Sequence, residues 1–486
     1  DRVCLVMPKS PAAVVGILAA LKAGAVYVPL DPASPAPRLA QMIASCQPRI
    51  VLAAPQTTAL VAACRSAENI GPRFAVVGMD GPLSARLESA AVEPWDHAVE
   101  PGEVPPGAAY ILFTSGSTGQ PKGVVITHAN VIAYIEWAVR YFGLDASDRL
   151  SGHPPLHFDL SMFDLFGAFA AGAELHLVSP DLNLRPHALA EFIRNHELTQ
   201  WFSVPSVLNY LAKFDAVRFH DFPSLKRLLW CGEVLPTPVL IHWMTRLVGV
   251  QFTNLYGPTE ATIASSYHTL TTCPQDGRMS IPIGRPCDGE DLLVLDDALR
   301  PAPVGEAGHL YIGGVGLSPG YWRDPAKTAA VFLPHPDHPP GDARVYRTGD
   351  LARVGDDGLV YFLGRADTQI KSRGYRIELG EIEAALAALS SVREAAVVAI
   401  HSEGFEGSVI CCAYVPASGG DLTPMTLRTA LGRVLPSYML PGRWRAFAAL
   451  PKNGNGKIDR PFLRESFLRG ADDRMPAAWA SHVEAA

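Results

Sequence analysis

The chain has 486 residues, of which 48% are apolar and 18% are charged, and this predicts a globular protein with at least two domains. Its 41 basic and 48 acidic residues give a net charge of −7 without a block of like charges. This balance argues against nucleic acid or a membrane as a partner. The longest apolar run, residues 12–21, is too short to span a bilayer. Eight scattered cysteines without Cys-x2-Cys spacing favour reduced thiols and the cytoplasm.

The N-terminal part alternates short apolar strands with helices. We expect strands at 3–7, 25–30, 50–53 and 74–77, and a helix that runs to Lys22 before Gly24. This alternation predicts a mostly parallel sheet covered on both faces. Residues 93–107, rich in Pro, Glu and Gly, are predicted to form a surface connection.

A glycine-rich stretch, TSGSTGQPKG, occupies residues 114–123. Glycines let backbone N–H groups surround an anion, and the hydroxyls and Lys122 can then reach phosphate oxygens. The stretch departs from the P-loop pattern, because Pro121 replaces the second glycine and Gly123 follows the lysine. A phosphate-binding loop is favoured over a flexible surface loop between a strand and a helix.

Asp159, Leu160 and Phe163 are spaced so that they share one face of a predicted helix. A carboxylate beside two apolar side chains suits the ammonium group of an amino acid whose side chain is apolar. Asp159 is explained equally well as the N-cap of that helix.

Thr259 and Glu260 follow a strand predicted at residues 252–256. At such a strand end, a hydroxyl can contact phosphate and a carboxylate can hold Mg²⁺. The alternative is a turn before a helix N-terminus, where both residue types are common.

The predicted secondary structure changes in the second half of the chain. Residues 292–360 show short strand patterns between Gly, Pro and Asp turns and predict an all-β part. Residues 367–465 predict a compact α+β unit, and residues 466–486 predict a tail or linker.

Nine motifs occur in order between residues 21 and 460. They are LKAGAVYVPLD (21–31), YILFTSGSTGQPKG (110–123), FDLS (158–161), NLYGPTE (254–260), GHLYIGGVGLSPGYW (308–322), YRTGDL (346–351), GRADTQIKSRGYRIELGEIE (364–383), LPSYMLP (435–441) and NGKIDR (455–460). In this series the chain closely resembles the adenylation domains of nonribosomal peptide synthetases, within the adenylate-forming superfamily. The family's first motif is not found, so we expect the chain to begin inside the domain, with its N-terminus truncated. No carrier-protein serine motif follows, so we expect a stand-alone enzyme or a fragment of a longer synthetase.

The resemblance implies an α/β multidomain fold of the adenylate-forming type. A large N-terminal domain, residues 1–366, would contain α/β sheet subdomains and a small β-barrel-like part, followed by a smaller, mobile α+β domain, residues 367–465. The hinge would fall on Asp367. Rotation about it would withdraw Lys457 and bring residues 371–376 towards the thiol channel.

The family first joins a carboxylate to AMP, using ATP with Mg²⁺ and releasing pyrophosphate. It then passes the acyl group to the phosphopantetheine thiol of a peptidyl or acyl carrier protein. The implied partners are therefore an amino acid, a carrier protein and neighbouring synthetase domains. Such an enzyme mainly positions two anions and neutralises their repulsion.

The resemblance also assigns the nucleotide-binding residues. They are Thr114, Ser115, Gly116, Ser117, Thr118, Gly119, Lys122, Gly232, Glu233, Asn254, Tyr256, Gly257, Asp350, Phe362 and Arg365. The glycine-rich loop would hold the β- and γ-phosphates, while Asn254, Tyr256 and Phe362 would contact adenine. Asp350, supported by Arg365, would bind the ribose.

The implied catalytic residues are Thr259, Glu260 and Lys457. Thr259 would contact the α-phosphate, and Glu260 would hold Mg²⁺. Lys457 would bridge the substrate carboxylate and the α-phosphate, where negative charge accumulates in the transition state. Outside the NGKIDR motif, Lys457 would be explained as a solvated lysine in a polar loop.

By resemblance, Asp159 would pair with the substrate's amino group, which favours an amino acid over a fatty or aryl acid. The side-chain pocket would consist of Leu160, Phe163, Phe202, Leu229, Cys231, Leu255, Ile263 and Ala264. Because none is charged and two are phenylalanines, we expect a small or medium neutral apolar substrate such as Ala, Val or Pro. A β-amino acid stays open, since Asp159 can pair with an amine one carbon further out.

Three other functions are consistent with parts of the pattern. A D-alanine:carrier-protein ligase shares the FDLS and YGPTE elements and a small pocket. An acyl- or aryl-CoA ligase is disfavoured by Asp159. A non-catalytic nucleotide-binding scaffold is disfavoured because Lys122, Glu260, Asp350 and Lys457 occur together.

Overall fold

The computed structural model describes residues 1–66, 74–80, 84–87, 104–116, 119–339, 341, 343–401, 408–417 and 422–469. Ser117 and Thr118 of the glycine-rich loop, most of the predicted 93–107 connection and residues 470–486 of the predicted tail lie outside the described residues. Within the described part, no helix has the length and apolar character needed to cross a membrane.

The first third of the chain builds a sheet whose centre is parallel. Its elements are β1 (Arg2–Val6), α1 (Pro11–Lys22), β2 (Val26–Pro29), α2 (Ala36–Cys46), β3 (Ile50–Ala53), α3 (Thr58–Ser66), β4 (Ala75–Asp80), β5 (Ser84–Leu87), β6 (Ala108–Thr114), β7 (Lys122–Thr127) and α4 (His128–Phe142). The strand order is β7-β6-β2-β1-β3-β4-β5, and β1 runs parallel to both β2 and β3. The strands and the helix predicted here are confirmed.

Local signals explain the limits of α1. The Ser10 hydroxyl accepts the N–H of Ala13, and Pro11 fits the first turn, where its missing N–H is not needed. Gly24, just beyond the last turn, adopts a φ of 68° that favours glycine.

A second sheet follows. Its elements are β8 (Arg149–Gly152), α5 (Leu160–Ala171), β9 (Glu174–Leu177), α6 (Pro186–Asn195), β10 (Gln200–Ser203), α7 (Pro205–Lys213), β11 (Arg227–Cys231), α8 (Thr237–Arg246), β12 (Gln251–Tyr256), β13 (Ser266–Leu270) and β14 (Arg285–Pro286). The order is β14-β13-β12-β11-β10-β8-β9, with β10, β11 and β12 parallel. Because β11 and β12 end at the same edge, Gly232 and Thr259, which follow them, lie on that edge.

A smaller sheet and one helix come next. The elements are β15 (Glu290–Leu295), β16 (Gly308–Gly314), β17 (Gly320–Tyr321), α9 (Pro325–Val331), β18 (Phe332–Pro334), β19 (Arg344–Val354) and β20 (Val360–Arg365). β17 joins the first sheet at β7, and the other strands form a sheet of order β15-β16-β19-β18 with β20 also on β19. The all-β prediction was wrong at α9, whose N-terminus is capped by Asp324 accepting the N–H of Lys327.

The C-terminal domain is α+β. Its elements are β21 (Gln369–Ser372), β22 (Tyr375–Glu378), α10 (Leu379–Ala387), β23 (Val392–His401), β24 (Ser408–Pro416), α11 (Pro424–Leu431), β25 (Arg443–Ala446) and α12 (Arg460–Leu468). β21 and β22 form a hairpin, and β23, β24 and β25 form a sheet. The predicted end of this domain at residue 465 was wrong, because α12 continues to Leu468 and buries Phe467 against the sheet.

One apolar core joins the first two sheets. It runs from Tyr110 of β6 through Trp137 of α4 and Phe163 of α5 to Phe202 of β10. This shared core holds together the two sheet edges that carry most of the predicted site residues. The predicted fold class, a large domain of several sheets followed by a smaller α+β domain, is confirmed.

Candidate active site

A cleft lies between the strand ends of the large domain and the β21–β22 hairpin of the small domain. Ten of the predicted site residues line it, namely Thr114, Ser115, Asp159, Leu160, Cys231, Gly232, Gly257, Thr259, Asp350 and Arg365. The hairpin contributes Gln369, Lys371, Gly374, Tyr375 and Arg376 to the wall.

The glycine-rich loop joins β6 to β7, where Thr114 pairs with Lys122. Gly116 has no room for a side chain, since a Cβ would lie 2.1 Å from the Gln120 carbonyl oxygen. Gly119 turns with a φ of 79°. Thr114, on the cleft wall, has a buried hydroxyl without a hydrogen-bond partner in the described part of the chain. The tightly turned backbone of this loop and the unpaired hydroxyl of Thr114 are suited to bind a phosphate group.

Glu260 is fully buried, and three side chains bind its carboxylate. Lys122 Nζ lies at 3.1 Å, the Tyr321 hydroxyl at 2.8 Å and Arg376 Nη1 at 2.7 Å. Burial by itself would raise the pKa of Glu260, but the charges of Arg376 and Lys122 outweigh it and hold that pKa well below its usual value. Glu260 is therefore an anion at neutral pH.

A buried, ionised carboxylate is the kind of oxygen ligand that Mg²⁺ binds. Here the Arg376 guanidinium takes the position beside Glu260 where such a cation would bind. The described residues contain no cluster of three or more His, Cys, Asp or Glu that could hold a metal. Glu260 is the residue that would hold Mg²⁺, which would supply neutralisation of phosphate charge, and Arg376 is now bound to the same carboxylate.

Asp159 caps α5 and also lines the cleft. Its Oδ1 accepts the N–H of Leu160 at 2.8 Å, and its Oδ2 accepts the hydroxyl of Thr259 at 2.6 Å. The N-cap explanation of Asp159 is therefore confirmed, and binding of an ammonium group by Asp159 stays a prediction. Burial raises the pKa of Asp159, and these two hydrogen bonds act in the opposite direction. An ammonium group beside this carboxylate would stabilise its charged form.

The predicted side-chain pocket lies in the core shared by the first two sheets. Besides Leu160 and Cys231, this core contains Phe163, Phe202, Leu229, Leu255, Ile263 and Ala264, each at most 2% exposed. Phe163 and Phe202 meet edge to face with ring centroids 5.6 Å apart. The structure thus groups all eight residues, of which Leu160 and Cys231 reach the cleft.

Asp350, the predicted ribose ligand, is on the cleft wall. Its carboxylate accepts a hydrogen bond from the Tyr256 hydroxyl and another from Arg365 Nη1, the latter at 2.7 Å. The Tyr256 and Phe362 ring centroids are 6.4 Å apart, while the Asn254 amide donates to a backbone carbonyl. Asn254, Tyr256 and Phe362 are not on the wall of the cleft, so their contact with adenine stays a prediction.

Two residues that are predicted to bind nucleotide hold the hairpin in this arrangement. The Ser115 hydroxyl donates to the Arg376 carbonyl oxygen at 2.6 Å, and Glu233 accepts the N–H of Gly374 at 2.9 Å. The large domain therefore uses the same polar groups for the hairpin that were predicted for ATP.

Sequence reasoning missed several residues that join the domains or the site. Arg38 of α2 forms a buried ion pair with Glu381 of α10, 343 residues away, which no motif spacing signals. The Tyr375 ring stacks on Tyr438 at 3.7 Å. Tyr321, which binds Glu260, lies inside the quoted motif 308–322 and could have been identified from it.

Lys457 lies away from the cleft. It is exposed on the loop before α12, and its backbone N–H donates to the Asn453 side chain at 3.0 Å. The lysine at the cleft is Lys371 of β21, whose Nζ lies 5.9 Å from the Tyr256 ring centroid. The structure therefore brings the hairpin, and not Lys457, to the predicted phosphate and substrate residues.

The predicted hinge residue, Asp367, is exposed and paired with Arg365.

Two family models match the chain. That of the AMP-binding enzymes covers residues 1–322, and that of the AMP-binding enzyme C-terminal domain covers residues 381–457. A dimodular nonribosomal peptide synthase of Bacillus subtilis (strain 168) is 36% identical over 477 residues, which is 98% of this chain but 19% of that relative. The chain therefore spans less than a fifth of this relative's length.

Solved structures of adenylation domains are also similar to this chain. The Vibrio cholerae adenylation domain AlmE, in complex with glycyl-adenosine-5'-phosphate, is 28% identical with a TM-score of 0.78, covering 97% of this chain and 89% of AlmE. PA1221, an NRPS protein containing adenylation and PCP domains bound to a vinylsulfonamide inhibitor, is 28% identical with a TM-score of 0.75, covering 95% and 75%. The predicted resemblance is thereby confirmed. The chain belongs to the AMP-binding enzyme family and is an adenylate-forming ligase.

Proposed function

We propose that the chain activates an amino acid as aminoacyl-AMP, releases pyrophosphate, and transfers the aminoacyl group to the phosphopantetheine thiol of a carrier protein in nonribosomal peptide biosynthesis. The 2.6 Å hydrogen bond between Thr259 and Asp159 carries this proposal. It puts the carboxylate proposed for the substrate's ammonium beside the hydroxyl proposed for the α-phosphate. An α-amino acid suits this proximity, because a single carbon joins its ammonium and carboxyl groups.

In the first half-reaction, the main task is to bring two anions together. The Thr114 hydroxyl, Lys122 and the backbone of the glycine-rich loop would bind the β- and γ-phosphates. Mg²⁺ held by Glu260 would supply further neutralisation of phosphate charge when bound. Lys457 would reach the substrate carboxylate after rotation of the small domain about Asp367.

We assign the observed arrangement to the second half-reaction, and the position of the hairpin on one wall of the cleft supports this assignment. Arg376 and Lys122 both bind Glu260 here, so the groups proposed for Mg²⁺ and triphosphate are already paired. We infer that the hairpin enters after pyrophosphate leaves. The pairing of adenylation and PCP domains in PA1221 supports a carrier protein as the acceptor. The eight free cysteines support the cytoplasm as the compartment.

The substrate is proposed to be small or medium and neutral. The pocket residues carry no charge, and Phe163 and Phe202 fill much of its volume. An apolar pocket separates substrates that differ by one methylene by only about 1–3 kcal/mol, so several neighbouring amino acids should react.

The test is ATP–pyrophosphate exchange with the common amino acids, D-alanine and β-alanine. We expect the highest rate with a small or medium neutral amino acid. A maximum with Lys, Arg, Asp or Trp would contradict the proposed pocket. ATP binding without exchange for any amino acid would indicate a scaffold, and thioester formation with coenzyme A and a non-amino acid would indicate a CoA ligase.

A further inference from the structure

Tyr134 of α4 has a buried hydroxyl that lacks a hydrogen-bond partner among the described residues. The residue is 5% exposed. Two other tyrosines have partners, since Tyr27 bonds to Met162 and Tyr141 to Thr269. A buried hydroxyl left alone is unfavourable, so such a group normally has a water or ligand as its partner.

Tyr134 belongs to the same core as the residues of the proposed side-chain pocket. Its ring meets Phe163 edge to face with centroids 5.7 Å apart. Burial raises its pKa, and the next contributions come from the nearby thiols of Cys287 and Cys231. The phenol is therefore neutral at pH 7 and can both donate and accept a hydrogen bond.

The two thiols near Tyr134 already have acceptors. Cys231 Sγ faces the carbonyl oxygen of Ile263 at 4.0 Å, and Cys287 Sγ faces that of Ala264 at 3.9 Å. Among the described residues, the Tyr110 hydroxyl and the Asp164 carboxylate also lack hydrogen-bond partners, and Tyr134 is singled out by the contact of its ring with Phe163 of the proposed pocket.

We infer that Tyr134 is a specificity-determining residue whose hydroxyl hydrogen-bonds to a hydroxyl group on the substrate's side chain. The inference rests on the proposed function and narrows its substrate class from neutral to hydroxylated amino acids. A neutral phenol supplies no counter-ion for a charged side chain, and an amide would need more hydrogen-bond partners than this single hydroxyl supplies.

The experiment compares isosteric substrates by ATP–pyrophosphate exchange with the full chain. The pairs are threonine against valine and homoserine against norvaline, and the variants are Tyr134→Phe and the control Tyr141→Phe on the same helix. We expect the wild type to prefer the hydroxylated member of one pair. Tyr134→Phe should lower kcat/KM for that member about 10- to 100-fold while sparing its apolar partner. Tyr141→Phe should keep the preference.

Preference for the apolar member in both pairs, or an equal change for both members in Tyr134→Phe, would overturn the inference. Thermal unfolding adds an independent readout. Removal of an unpartnered hydroxyl should leave Tm unchanged or higher, whereas a lower Tm would show an internal partner and also overturn it. If the wild type exchanges with no amino acid, the proposed function itself fails. If the wild type does exchange and Tyr134→Phe leaves the ratio of kcat/KM between the paired substrates unchanged, only the proposed role of Tyr134 is rejected.

Discussion

The candidate site has a phosphate side, built around Glu260, and a side-chain side, built around Phe163 and Phe202. Both domains supply residues to the phosphate side, whereas the large domain alone supplies the side-chain side. On the phosphate side, Glu260 and Lys122 of the large domain are paired with Arg376 of the small domain. On the side-chain side, Phe163 and Phe202 are fixed in a core within the large domain. The contacts proposed to change between the two half-reactions thus lie on an interface between domains, whereas those proposed to recognise the substrate lie in a buried core.

The largest predicted effect tests whether the residues of the phosphate side contact different groups of the small domain in the two proposed half-reactions. Lys457→Ala should lower ATP–pyrophosphate exchange at least about 100-fold, because the charge proposed for the α-phosphate is lost. Thioester formation from preformed aminoacyl-AMP and pantetheine should be unchanged, since Lys457 lies outside the cleft in the observed arrangement. Lys452→Ala, on the same exposed loop, is the control. Equal losses in both assays would refute the division of roles.

Arg376→Ala should show the opposite selectivity. The variant leaves the buried Glu260 carboxylate without its guanidinium partner when the hairpin is in the cleft, and breaking a buried ion pair is costly. Thioester formation should therefore fall at least about tenfold, with a smaller effect on pyrophosphate exchange. Arg373→Ala, exposed on the same hairpin, should change neither rate. A greater loss of exchange than of thioester formation would contradict the proposed use of Arg376.

The smallest predicted effect concerns Asp159, which belongs to both sides of the site. Burial raises its pKa, so the folded state binds the proton more tightly than the unfolded state does. Stability is therefore lost as pH rises from the unfolded pKa through the raised folded pKa. Asp159→Asn should remove this loss and raise Tm at pH 8 slightly, by at most about 2 °C, with little change at low pH. A lower Tm at pH 8 would contradict this.

The sequence predicted those features that depend on neighbouring residues. The loop at Gly116, the cap at Asp159 and the strand ends before Gly232 and Thr259 all follow from local spacing. The pairing of Arg376 with Glu260 joins residues 116 apart and depends on how two domains dock, which local spacing does not encode.

Two structural features that the sequence analysis did not predict have local causes. The helix at α9 was hidden because the region around it has the Gly, Pro and Asp turns of a β structure, although Asp324-Pro325 is a helix start signal. The burial of Phe467 was missed because α12 carries a polar face that resembles a linker.

The buried ion pair between Arg38 and Glu381 has a consequence for turnover. When two such charges separate, water solvates each of them, and this hydration offsets much of the attraction that is lost. The contact therefore selects one docking geometry without binding the domains tightly. The rotation proposed for the small domain would be faster across a contact that is specific in geometry but contributes little binding energy.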